Sequence, residues 1–180
     1  AGNMATASPI GDSLPLLLSL DASVAIESFN KKMIISLKDF FIGYRKTRLK
    51  KGQFIRSIRI PIFNKNIFKA YKISKRIEDD ISSVCASFNL AIENKKIKNI
   101  KIAYGGMAAT PKRAVYCEKI LLNSNFSEDI ILKAQKSLEK DFQPIDDMRA
   151  SKDYRLKIAK NLLTKCFAEI KKNELIRLSY

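Results

Sequence analysis

A chain of 180 residues, 46% of them hydrophobic, carries enough apolar side chain for one ordinary domain or two small ones. Its net charge is +16. The basic clusters YRKTRLKK, KISKR and ENKKIKNIK come without a groove-entering helix, zinc-finger spacing or aromatic RNA-binding motif, so they read as a solvated surface and nucleic acid is not an expected partner. There is no histidine, which removes the usual general base and the usual triads, and Cys85, Cys117 and Cys166 lie far apart with no CxxC pair. That pattern argues against a metal site and for buried thiols in a reducing cytoplasm.

The chain opens AGNMATASPIGDSLP ahead of the run LLLSL. It lacks the basic and long apolar regions of a signal peptide, and reads as the interior of a larger polypeptide. The run from Leu14 to Leu20, broken by Pro15 and Ser19, is too short to span a bilayer. Gly2 permits positive φ and close backbone approach, Asn3 and Thr6 offer short polar side chains, and Asp12 stands where it caps a helix from Ser13 with Pro15 in the first turn. Such a loop suits a phosphate or a sugar hydroxyl. Helix capping after a turn also accounts for it without a ligand.

Next, SVAIES and KMIISLK are β-rich runs joined by the hairpin signal FNK. FIRSIRIP alternates Ile58 and Ile60 with Ser57 and Arg59, a strand stopped by Pro61. IFNKNIF reads as a connector, followed by three more strands in KAYKISK, VCASFNLAIE and IKNIKIAYGG, with NKK turning between the last two. Gly105 and Gly106 fit a backbone turn beneath a neighbouring element. The last third is helical. Ser127 is placed as an N-cap before Glu128, Asp129 and the stripe Ile130, Ile131, Ala134 and Leu138. A second helix from near Ser151 carries Ala159, Leu162, Leu163, Cys166, Phe167 and Ile170 on one face and runs to KKN. Antiparallel strands followed by packed helices make an α+β fold.

Five motifs stand out: GNMATASPIGDSLP, FFIGYRKT (40–47), YKISKRIEDDIS (71–82), YGGMAATPKRA (104–114) and DMRASKDYR (147–155). In this order and spacing, over nearly the whole chain, they resemble the flavin domain of the xanthine dehydrogenase family. The KRxEDDIS and GYRKT variants are closer to xanthine dehydrogenase than to the carbon monoxide dehydrogenase flavoproteins, and the opening is similar to the bacterial small subunit that bears iron–sulfur clusters and flavin. The resemblance implies the C-terminal part of a PCMH-type FAD-binding domain over residues 1–66. A CO-dehydrogenase-flavoprotein-like α+β domain would follow over 67–180.

The function implied is electron transfer during oxidation of hypoxanthine or xanthine to urate. In the family, [2Fe-2S] clusters feed FAD, and FAD reduces NAD. The clusters and the molybdopterin would sit elsewhere, on the rest of the flavin and iron–sulfur subunit and on a molybdopterin-binding subunit, in the cytoplasm. This segment alone would be inactive. The same resemblance puts Ala1, Gly2 and Asn3 near the FAD diphosphate, Thr6 close by, Asp12 as a polar partner of the cofactor, Ile55 at the isoalloxazine and Lys72 as a cation near the ring. Where the family shows Gly-Gly-Asn, this chain has Ala1-Gly2-Asn3. Read from the residues alone, Ile55 is a core isoleucine and Lys72 a solvated lysine. The loop of Lys75, Arg76, Glu78, Asp79 and Asp80 would lie beside the flavin, with Asp79 and Asp80 near NAD; a plain solvated loop is the other reading. No catalytic residue and no metal ligand is expected within the chain. The alternatives are the flavoprotein part of another molybdenum hydroxylase, oxidising an aldehyde or carbon monoxide, and, from a different class, a basic nucleic-acid or scaffold-binding module.

Overall fold

The computed structural model describes residues 2–175. Two short helices come first, α1 (Gly2–Thr6) and α2 (Ser13–Ser19). The opening strip is therefore helical where the sequence reads as a loop: Thr6 Oγ1 donates to the Asn3 carbonyl at 3.0 Å and closes the α1 turn. Gly2 sits in that turn, and the left-handed residue of the strip is Ala7, at φ 46°. α2 begins at Ser13 as expected, but Asp12 does not cap it, having helical dihedrals (φ −64°, ψ −33°) and no side-chain hydrogen bond to the helix. The reason is local. An N-cap carboxylate needs the N–H of the second or third helical residue; Leu14 N already donates to the Gly11 carbonyl, and Pro15 has no N–H to give.

The hairpin β1 (Ser23–Ser28) and β2 (Lys31–Ser36) turns through Phe29 and Asn30. After α3 (Leu37–Phe40) and the small ribbon β3 (Phe41–Gly43) with β4 (Lys46–Thr47), strand β5 (Phe54–Arg59) returns to pair with β1, giving an antiparallel sheet β2-β1-β5. Its core gathers Leu14 and Leu18 with Val24, Ile26, Leu37 and Phe40.

The larger sheet contains β6 (Ile67–Ile73), β7 (Val84–Glu93), β8 (Lys96–Gly105) and β9 (Lys112–Arg113), antiparallel in that order. Asn94 and Lys95, at φ 49° and 60°, make the left-handed turn that joins β7 to β8, as the NKK signal requires. Three helices cover this sheet: α4 (Val115–Leu121), α5 (Glu128–Asp141) and α6 (Lys152–Lys172). Val84, Ala86, Phe88 and Leu90 of β7 share a core with Leu138 of α5 and Leu163 of α6. The other face of β7 is buried too: Ser87 shares a hydrogen bond with Ser19 of α2, and Asn89 Nδ2 donates to the Ser19 carbonyl at 3.0 Å. A strand covered on both faces needs no polar alternation, which is why VCASFNL is buried throughout.

The α+β class holds, and α5 and α6 lie where their stripes place them. Ser151 accepts from Tyr154 N at 3.2 Å and Asn173 closes α6 in the left-handed conformation, whereas Ser127 flanks α5 without a side-chain cap bond. α4 has no local start signal because its cap is supplied from a distance. The Asp141 carboxylate, at the end of α5, accepts from Tyr116 N and Cys117 N, both at 2.9 Å. All three cysteines are free and buried. Among the described residues no helix is long and apolar enough to cross a membrane, and no cluster of metal-ligating side chains occurs.

Candidate functional site

The Asp12 carboxylate, freed from capping, turns toward the larger sheet. Its Oδ2 accepts from Lys72 Nζ of β6 at 2.9 Å, and its Oδ1 accepts from the hydroxyl of Ser82, just ahead of β7. Below them Cys85 pairs with Lys72 across the β6–β7 ladder and points its thiol at the Asp12 carbonyl, 3.7 Å away. The two charged side chains are 43% and 41% exposed, while Ser82 is 1% exposed. The ion pair therefore has a buried heel and a tip that faces solvent. Lys72 is held above its ordinary pKa, first by its hydrogen bond to Asp12, so it is a fixed cation at neutral pH.

The rest of the strip folds around the same corner. Asn3 Oδ1 accepts from Ser13 Oγ at 2.8 Å, and a Cβ on Gly11 would lie 2.6 Å from that oxygen, so a larger residue at Gly11 would push the Asn3 amide aside. Pro9 is tied to the larger sheet through Gly106, whose N–H donates to the Pro9 carbonyl at 2.7 Å. The turn expected at the glycine pair is made by Gly106, at φ 82°. Arg155 lies behind it, 2% exposed. Its Nη1 donates to the carbonyls of Ser83 and Gly106, and its Nη2 to Asp147 Oδ1 at 2.6 Å. Beside this clamp a cleft of about 540 Å³ opens, lined among others by Pro9, Ile10, Tyr44, Gly106, Arg149 and Arg155.

The structure thus bonds Asp12 to Lys72 and seats Asn3 against Ser13, the residue after Asp12, while the Thr6 hydroxyl is used within α1. Ile55 is apart from these: it stands on β5 opposite Ile26, half-buried against the core of the smaller sheet. Gly2 starts α1 and is exposed, and Ala1 lies outside the described residues. The loop of Asp79 and Asp80 is braced from within. Asp80 accepts from Arg76 N at 2.9 Å and Ile81 N at 2.8 Å, and these backbone hydrogen bonds hold its carboxyl below the usual range. Asp79 takes a left-handed φ of 49°, and Lys75 ties the loop to the Met148 carbonyl at 2.9 Å.

Sequence reasoning missed Ser82 and Arg155. Arg155 did leave a signal, since it is the position four before Ala159 on the apolar stripe of α6, where a charge belongs only if it is paired inside. Ser82 left none, being a small polar residue at the edge of a strand.

Residues 69–170 match the model of the CO dehydrogenase flavoprotein C-terminal domain, and residues 1–63 match that of the FAD binding domain in molybdopterin dehydrogenase. This chain belongs to that flavoprotein family. A nicotinate hydroxylase of Emericella nidulans is 37% identical to it over 138 residues, covering 73% of this chain and 10% of the relative. A xanthine dehydrogenase of Blastobotrys adeninivorans is also 37% identical, over 150 residues, covering 79% of this chain and 11% of the relative. The flavoprotein therefore spans about a tenth of the length of either relative. A solved carbon monoxide dehydrogenase from Hydrogenophaga pseudoflava shares the fold, with a TM-score of 0.86 at 23% identity, over 90% of this chain and 56% of that one.

Proposed function

We propose that this segment binds FAD and serves as the flavin part of a molybdenum-dependent xanthine dehydrogenase, carrying electrons from iron–sulfur clusters to NAD. The observation that supports it most is the Asp12–Lys72 pair, half-exposed, with Asn3 bonded to Ser13 beside it. The donor set suits the cofactor. The Asn3 amide and the Lys72 ammonium are donors for the flavin dinucleotide's oxygens, and Gly11 allows the close packing that brings Asn3 into place. FAD, when bound, supplies the two-electron chemistry. The chain's own part is to bind and orient it, with Lys72 favouring the anionic reduced ring.

In this reading Ala1 and Gly2 add backbone N–H groups at the diphosphate, Ile55 offers apolar surface to the isoalloxazine, and the Asp79–Asp80 loop sets the field that NAD meets. The cleft beside Pro9 and Tyr44 is the space for an acceptor of that size. The division falls at residues 66 and 67, in the connector between the two sheets. Iron–sulfur and molybdopterin groups belong to the remainder of a cytoplasmic assembly.

One observation favours a second substrate within the same chemistry: identity to the nicotinate hydroxylase equals that to the xanthine dehydrogenase. The test uses the complete enzyme from which the segment comes. NAD reduction driven by hypoxanthine or xanthine supports the reading. Reduction driven by nicotinate, an aldehyde or carbon monoxide replaces the substrate, and a complete protein without bound flavin overturns the reading altogether.

A further inference from the structure

We propose that Ser82 is a positioning residue for the flavin, fixing the Asp12 carboxylate and, through it, the Lys72 ammonium; this rests on the flavin-binding reading above. The geometry is a chain of three groups. The Ser82 hydroxyl donates to Asp12 Oδ1, and Lys72 Nζ donates to Asp12 Oδ2 at 2.9 Å. Each carboxylate oxygen has its own partner, so the group does not rotate without breaking one of them.

The two bonds differ in what they anchor to. Asp12 and Lys72 are each about two-fifths exposed, and an ion pair at that exposure adds little order by itself, because solvent screens it and both side chains lose entropy when they meet. Ser82 is 1% exposed and stands on rigid backbone. The next residue, Ser83, donates its N–H to the Ile73 carbonyl at 2.8 Å, and its own carbonyl is held by the buried Arg155. Asp12 also has no local alternative, since Leu14 N is already engaged and Pro15 has no N–H. Without the Ser82 hydroxyl the carboxylate keeps only its mobile, solvent-facing partner. A ligand group that needs the pair in one arrangement then bears the ordering cost on binding.

The experiment is a double-mutant cycle on the full-length flavoprotein, reading the FAD dissociation constant by flavin fluorescence and the flavin midpoint potential by redox titration. Ser82→Ala removes one oxygen and should loosen FAD roughly tenfold, as expected for losing a hydrogen bond to a charged group. It should also lower the potential, because the ammonium is no longer held at the ring. In an Asp12→Ala background the same change should alter the dissociation constant by less than about twofold, since the group it acts on is gone. Equal loosening in both backgrounds would mean that Ser82 acts through folding, which overturns the proposal. If Asp12→Ala loosens FAD and Ser82→Ala leaves both affinity and potential alone, the proposal fails while the flavin site stands. If Asp12→Ala itself changes nothing, the flavin reading fails and the proposal with it.

Discussion

Replacing Gly106 by alanine tests the corner where the opening strip meets the larger sheet. The residue has φ 82°, and a Cβ there would collide with the Ser83 carbonyl oxygen and lie 3.0 Å from Arg155 Nη1. Neither neighbour is the loose end of a flexible side chain: one is backbone at the entrance to β7, and the other is a guanidinium 2% exposed. Rotating the peptide away would break the 2.7 Å bond from Gly106 N to the Pro9 carbonyl. A left-handed alanine costs about 1 kcal/mol. Displacing one Arg155 hydrogen bond from a buried carbonyl costs about 2 kcal/mol more, as a charged donor is involved. Gly106→Ala should therefore destabilise the protein by about 3 kcal/mol, a sizeable part of the ~5–15 kcal/mol that a domain of this kind has. Urea unfolding followed by circular dichroism gives the answer as a shift in midpoint at unchanged slope. A loss below about 0.5 kcal/mol would show that the strip and the sheet meet loosely, contrary to the geometry.

Lys72→Met should make bound flavin harder to reduce, seen as a lower midpoint potential in the full-length holoprotein; an unchanged potential would return Lys72 to the solvated surface. The Asp147 carboxyl lies below its ordinary pKa: burial alone would raise it, but the N–H groups of Arg149 and Ala150 and the Arg155 guanidinium together outweigh that. A depressed carboxyl stabilises the fold above its unfolded pKa, near 4, and loses that contribution as pH falls through the folded value. Asp147→Asn should accordingly be less stable at neutral pH and show a flatter loss of stability in acid, read from denaturation midpoints across that range. Burial pushes the thiols of Cys85 and Cys166 up to about 12 and that of Cys117 higher still. Native protein near neutral pH should resist iodoacetamide, and unfolded protein should take up three equivalents.

Where sequence and structure agree, the determinants are local. β7 and β8 follow from two β-rich runs around NKK, and α6 from a stripe that starts at a true Ser151 cap and stops at Asn173. Where they part, the deciding partner is distant in sequence. α4 depends on Asp141, 25 positions beyond Tyr116, so nothing beside Val115 announces it. Asp12 has the look of a cap and fails to be one because of Pro15, three residues later; its carboxylate is then claimed by Lys72 and Ser82, 60 and 70 positions on. The resemblance named Asp12 and Lys72 separately, each as a contact of the cofactor, and no pattern told that they bond to each other. Ile55 shows the opposite limit. Its alternation placed it on a strand, and the structure seats it on the smaller sheet, with the core that its residue type alone would choose.

The opening strip is short, and α1 and α2 together are too small to hold a shape by helix propensity. What holds them is the larger sheet. Asp12 bonds Lys72 and Ser82, Ser19 bonds Ser87 and Asn89, Pro9 bonds Gly106, and Asp21 takes the Lys101 ammonium at 2.6 Å. Most of these partners sit on β6, β7 and β8 or their ends, so polar groups of the later sheet set the position of residues that come first in the chain. A hydrophobic seam would tolerate sliding, but hydrogen bonds with fixed donors and acceptors do not, since a shift leaves buried groups unpaired. The opening strip is consequently fixed in register against the α+β domain behind it. Substitutions in Ser83, Gly106 or Arg155, none of which belongs to the Asp12–Lys72 pair, should therefore disturb FAD binding through that pair's footing.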